Sequence, residues 1–84
     1  MAEKADIFLE ILSPEGTLVE RRVSSVTLPG SLAPFEVLRD HAPLLSSLVA
    51  GDIVFLSADK TERVSVKGGF VEVCDNRVSV CAEV

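Results

Sequence analysis

Basic residues are few in this chain: eight Lys and Arg are scattered among thirteen Asp and Glu, for a formal net charge of −5 and a pI near 4.7. Nucleic-acid binding needs clustered cations to displace counterions from a phosphate backbone, so that class of partner is excluded. No apolar run approaches the ~18 to 20 residues that span a bilayer, so no direct membrane insertion is expected. The opening "MAEKADIFLEIL" is too short and too acidic for a secretory signal. The protein is expected to stay in the compartment where it is made.

Cysteine and histidine are equally scarce. The two cysteines, Cys74 and Cys81, have no second pair and no neighbouring histidine, which falls short of a structural zinc site. If Asp75 and Asn76 form a two-residue hairpin turn, Cys74 lies opposite Arg77 and Phe70 opposite Cys81, too far apart along the ladder for a disulfide. Both thiols then read as small, half-buried hydrophobes in a reducing compartment. The single histidine, His41, is the one candidate base for a nucleophilic triad. Its neighbour Asp40 would point away from it on an extended segment and could not orient it. Catalysis is therefore not expected, and neither is a metal or cofactor. The acids are spread about one per strand or turn, as on a solvated face. Gly68-Gly69 lacks the spacing and following helix of a phosphate-cradling loop; its expected role is a tight turn or a close approach to another strand.

What the sequence does have is strands. Runs of four to eight residues rich in Val, Ile, Leu, Phe and Thr recur between clusters of Gly, Pro, Asp, Asn and Ser: "DIFLEIL", "GTLVERR", "VSSVTLPG", "FEVL", "GDIVFLSA", "TERVSVK", "GFVEVCD" and "NRVSVCAEV". The fold class is all-β, an antiparallel β-sandwich or flattened barrel of about 8 to 10 short strands in one domain across residues 1–84. Turns are expected at "SPEG" (13–16), "ADK" (58–60), Gly68-Gly69 and Asp75-Asn76. Alternation sends Val64 and Val66 inward and Arg63, Ser65 and Lys67 outward. Val71 and Val73 should face Val80 and Val78 across the last hairpin. "GDIVFL" is apolar on both sides and predicts a strand covered on both faces by the fold or by a partner. "APLLSSL" predicts a single helical turn or a short strand.

At this length only roughly 60 to 65% of the unfolded chain's surface is buried, so the core is modest. A mean hydropathy of +0.39 is high for so small a domain and points to apolar surface that a partner covers.

In order along the chain, "LSPEG", "SVTLPG", "HAPLLSSL" and "VSVKGGFVEV" followed by "NRVSV" resemble the N-terminal β-sandwich domain of the epsilon subunit of F-type ATP synthase. The resemblance runs from about Ile7 to Val84. It implies a ten-stranded sandwich of two five-stranded sheets. It also implies a non-catalytic central-stalk subunit, which binds the gamma subunit and the polar loops of the c-ring so that ion-driven rotation is coupled to ATP synthesis. By position, Ser13, His41, Ala42 and Pro43 match the gamma-facing places, and Gly30, Ser31, Leu32, Ala33, Pro34 and Glu36 match the loop near the c-ring. The expected location is peripheral, on the cytoplasmic face of a bacterial inner membrane. Family members often carry Gly at the positions of Ala33, Glu36 and Asp40, an acid at Pro34 and Pro at Arg39. Fewer glycines restrict positive φ, and Pro34 stiffens the loop. Many members continue into a two-helix inhibitory domain, which the resemblance does not extend to here, so coupling without that brake is expected. Two other readings remain open from the residues alone. One is a free-standing β-sandwich adaptor; the other is a lipoyl- or biotinyl-type carrier domain modified at Lys60, in the "SADKTER" hairpin.

Overall fold

The computed structural model describes residues 6–84 and shows nine strands. They are β1 (Ile7–Ser13), β2 (Gly16–Val23), β3 (Ser25–Leu28), β4 (Phe35–Val37), β5 (Leu44–Leu48), β6 (Gly51–Ser57), β7 (Lys60–Val66), β8 (Gly68–Cys74) and β9 (Arg77–Glu83). One sheet has five strands in the order β2-β1-β9-β8-β5, the other four in the order β4-β3-β6-β7. The two pack face to face as a sandwich.

Period-two alternation builds the core. Ile7, Leu9 and Ile11 of β1, Val71 and Val73 of β8, and Val78 and Val80 of β9 point inward from the larger sheet. Val26 and Leu28 of β3, Val37 of β4, and Ile53 and Phe55 of β6 meet them from the smaller one. No buried side chain is polar or charged among the described residues. The core is held by apolar burial and dispersion alone.

Several expectations hold and several are corrected. Val66 is buried and Val64 packs against the core, while Arg63, Ser65 and Lys67 are exposed. The last hairpin has the expected register, with Val71 opposite Val80 and Val73 opposite Val78. Asp75 and Asn76 form its turn at φ 51 and 60, the double positive φ that two-residue hairpins favour. "GDIVFL" buries Ile53 and Phe55 but leaves Val54 and Leu56 half-buried on the outside. "APLLSSL" contains the strand β5, not a helical turn.

The sheets are not wholly antiparallel, because β1 and β9 run parallel, with Leu9 opposite Val78 and Leu12 opposite Cys81. The smaller sheet has four strands rather than five. The segment after β3 makes only one bridge, Gly30 to Leu48. Pro29 and Pro34 bracket that segment and bring no N–H donor to a ladder.

Gly68 and Gly69 do not form a turn; they open β8. Gly69 has φ +146, and a Cβ there would lie 2.1 Å from the Cys81 carbonyl oxygen. The close approach of two strands is therefore what requires glycine.

Candidate partner interface

The outer face of the five-stranded sheet is a set of rows read across the ladders. Leu12, Cys81, Phe70 and Ser47 are mutual neighbours in one row. Glu10, Ser79, Glu72 and Leu45 form the next, and Phe8, Arg77 and Cys74 the third. Phe70 is 63% exposed and Leu45 75% exposed. An open groove of about 600 Å³ is lined by Leu12, Phe70 and Cys81 of the first row together with Ser13 and Pro14 of the β1–β2 turn. Phe70 and Leu45, with half-buried Leu12 and Phe8, put apolar area on the same sheet face as Glu10, Glu72 and Arg77.

Both cysteines lie on this face and both are exposed, which corrects the half-buried expectation. Their parity explains it: Cys74 shares the outward side with Glu72, and Cys81 with Ser79. They are free thiols, and the register that separates them is the expected one. The carboxylates of Asp75 first, then Glu72, hold the Cys74 thiol above its ordinary pKa.

Ser13 and His41 stand at opposite ends of the face. Ser13 Oγ donates to the Gly16 carbonyl at 3.2 Å and accepts from the Glu15 amide at 3.2 Å, so it shapes the β1–β2 turn. His41 is half-buried in the loop before β5, followed by exposed Ala42 and Pro43. Its Nδ1 lies 2.7 Å from the Ala42 carbonyl oxygen. That oxygen only accepts, so Nδ1 carries a proton, and among the described residues Nε2 has no hydrogen-bond partner.

The loop of His41 is a turn rather than an extended segment. The His41 amide donates to the Leu38 carbonyl at 3.2 Å, and Asp40 sits at φ 63 in the third position. A type II turn demands that positive φ there and favours Pro before it. Arg39-Asp40 therefore takes a conformation suited to Pro-Gly. The Asp40 carboxylate bonds to Asn76 and pairs with Arg39, and its amide bonds to Asn76 as well. Ala33 and Glu36 are not at positive φ, so those two lost glycines cost no strain.

The other predicted segment, Gly30 to Glu36, leaves β3 beside the edge strand β5. The Ser31 amide donates to the Ser47 carbonyl at 3.1 Å, and the two hydroxyls lie 2.7 Å apart. Gly30 is buried at the bridge, whereas Ser31, Ala33, Pro34 and Glu36 are exposed and Leu32 is 103% exposed at the tip. The loop thus continues the Leu12–Cys81–Phe70–Ser47 row beyond the sheet edge. Lys60 is exposed but stands one residue past the hairpin tip, paired with Ser57, so the tip itself is Ala58-Asp59. Sequence reasoning missed Phe70 and Leu45 as surface residues. Their shared parity with Glu72 in β8 and Ser47 in β5 was the available signal.

Residues 6–84 match the family model for the ATP synthase delta/epsilon chain β-sandwich domain. The chain belongs to this family. Among curated relatives, the ATP synthase epsilon chain of Desulfitobacterium hafniense (strain DSM 10664 / DCB-2) is 40% identical over 75 residues, covering 89% of this chain and 57% of that one. The epsilon chain of Nitratidesulfovibrio vulgaris (strain DP4) is 42% identical over 77 residues, covering 92% and 58%. The chain thus spans a little over half the length of these epsilon chains. In solved structures the same fold occurs in the Euglena gracilis mitochondrial ATP synthase OSCP/F1/c-ring assembly, with a TM-score of 0.86 at 22% identity over 95% of this chain and 52% of that one. It recurs in the Tetrahymena thermophila central stalk/c-ring structure, with a TM-score of 0.79 at 16% identity over 98% and 66%. The delta/epsilon sandwich is thus shared at the level of fold with chains of those two ATP synthase structures.

Proposed function

We propose that the chain is a non-catalytic central-stalk subunit of a rotary ATP synthase, which docks the gamma subunit on the outer face of its five-stranded sheet. The single observation that carries the reading is the exposed Phe70–Leu45 surface, bracketed by Ser13 and His41, in a member of the epsilon family. The loop from Gly30 to Glu36, with Leu32 at its tip, would touch the polar loops of the c-ring. One body then grips both ring and stalk, so the two turn together. The sandwich would lie peripherally, on the cytoplasmic face of a bacterial inner membrane; among the described residues no helix is long and apolar enough to cross one.

Torque transfer needs a stiff body with a broad contact, not a deep pocket. A standard interface takes roughly 800 Å² from each partner, a small fraction of this chain's 5199 Å² of accessible surface. The outer sheet face and the loop beside it can supply that patch.

His41 gives the first test. It makes one local side-chain contact and is not in the core, so His41→Ala should leave the unfolding midpoint within a few degrees of the wild type. Titration with the gamma subunit should show affinity reduced by roughly tenfold, the loss expected for one good polar contact. Unchanged affinity would make the histidine a bystander, and an unfolded variant would make it a core residue.

A further inference from the structure

We propose that Asn76, in the β8–β9 turn, is a positioning residue that latches the loop of His41 into the shape the partner meets; the proposal rests on the reading that His41 faces gamma. The loop from Leu38 to Pro43 carries the chain from the end of β4 in one sheet to the start of β5 in the other. Its side chains are largely exposed, and few contacts hold it. The firmest are to Asn76: the Asp40 amide donates to Asn76 Oδ1 at 2.6 Å, and Asn76 Nδ2 donates back to Asp40 Oδ1 at 3.0 Å. Two opposed bonds between one residue pair fix both position and orientation, as a single bond does not.

Asn76 is itself well anchored. It occupies a positive-φ position of a two-residue hairpin turn, and its carbonyl accepts from the Phe8 amide at 2.9 Å. It therefore moves with β1, β8 and β9, the middle of the sheet that carries the proposed interface. Asp40, by contrast, holds a φ of 63, a left-handed conformation that Asp tolerates better than most residues but less readily than Gly. Without the latch, the turn immediately before His41 would relax toward negative φ and carry the imidazole with it. Arg39, whose guanidinium lies 3.2 Å from Asp6, supplies a second, exposed tether. That tether acts one residue earlier and does not fix the φ of Asp40.

Asn76→Gly in the full chain isolates the latch, because Asp-Gly is a favoured sequence for this turn and keeps it while removing the amide. His41 is the only histidine, so its two carbon-bound imidazole protons give one unambiguous pair of signals in NMR spectra of the free protein. The expected result is a displaced or broadened His41 signal, with the sheet amides little changed. Affinity for the gamma subunit should fall by up to roughly tenfold, no further than in His41→Ala, because the latch acts through the imidazole. Adding His41→Ala to Asn76→Gly should then cost no more than His41→Ala alone. A wild-type imidazole signal in Asn76→Gly, or losses that simply multiply in the double variant, would overturn the positioning role. If the wild-type chain does not bind gamma at all, the partner reading fails instead. The imidazole signal alone then decides whether the latch exists: a displaced signal supports it and an unchanged one overturns it.

Discussion

Gly69→Ala is expected to remove a large share of the chain's stability. The new Cβ would meet the Cys81 carbonyl oxygen at 2.1 Å and the Ala82 Cα at 2.9 Å, both backbone atoms of the neighbouring strand. Neither can rotate away as a side chain would, so β8 and β9 must separate at the edge of the groove. The φ of +146 adds strain for any L-residue with a Cβ. Overpacking costs about 1 to 3 kcal/mol and a forced positive φ about 1 to 3 more, so the sum is roughly 2 to 6 kcal/mol. A chain of 84 residues has only about 4 to 13 kcal/mol in total. The thermal midpoint should therefore drop by more than about 8 °C at ~4 to 8 °C per kcal/mol, or no cooperative transition should remain. A midpoint within a few degrees of the wild type would mean that the two strands are not in this register at Gly69.

The second large effect concerns binding rather than folding. Phe70→Glu should lower affinity for the gamma subunit at least ~100-fold, while changing stability by less than about 1 kcal/mol. Phe70 is 63% exposed in the free chain, so little apolar burial is lost when it is replaced. In a complex it would be the aromatic anchor of the Leu12–Cys81–Phe70 row, and aromatic anchors of this kind are worth ~2 kcal/mol or more. A carboxylate there would also have to be desolvated beside Glu72, two positions along on the same face of β8, which raises the penalty further. Calorimetric titration and thermal denaturation of the same preparation separate the two effects. A stable Phe70→Glu protein with wild-type affinity would remove this face from the interface.

The fold was legible where the signal is local. Alternation in "TERVSVK" and in the last hairpin sets which side chains are buried, because a strand presents every second residue to one face. Asp75-Asn76 likewise identified its own turn and the register it imposes on Cys74 and Phe70. The parallel pairing of β1 with β9 had no such signal, since it joins the two ends of the chain and depends on the whole sheet being assembled. "APLLSSL" stayed ambiguous because it is short and Leu45, although exposed, looks like a core residue. The cysteines were misplaced by their usual preference for the interior, although their parity with Glu72 and Ser79 already put them outside.

The candidate site was legible in a different way. Ser13 and His41 came from resemblance, and nothing in their own neighbourhoods distinguishes a partner contact from an ordinary turn serine and loop histidine. Asp40 could not be read as a positive-φ residue, because what holds it there is Asn76, 36 residues further along the chain. The absence of glycine at that position hid a turn that glycine would have announced. Phe70 was readable in principle: an aromatic on the wet parity of a strand asks for something to cover it.

The most direct test of the central claim uses a thiol the protein already has. Cys81 lies between Leu12 and Phe70 in the middle of the proposed face and is exposed in the free chain. Maleimide labelling of Cys81, followed by peptide mass analysis with and without a saturating gamma subunit, reports whether that face is covered. The account predicts ready labelling of the free chain and at least a roughly tenfold slower reaction in the complex, as expected for a thiol shut away from the reagent. Equal labelling rates in an intact complex would show that gamma binds elsewhere on the sandwich.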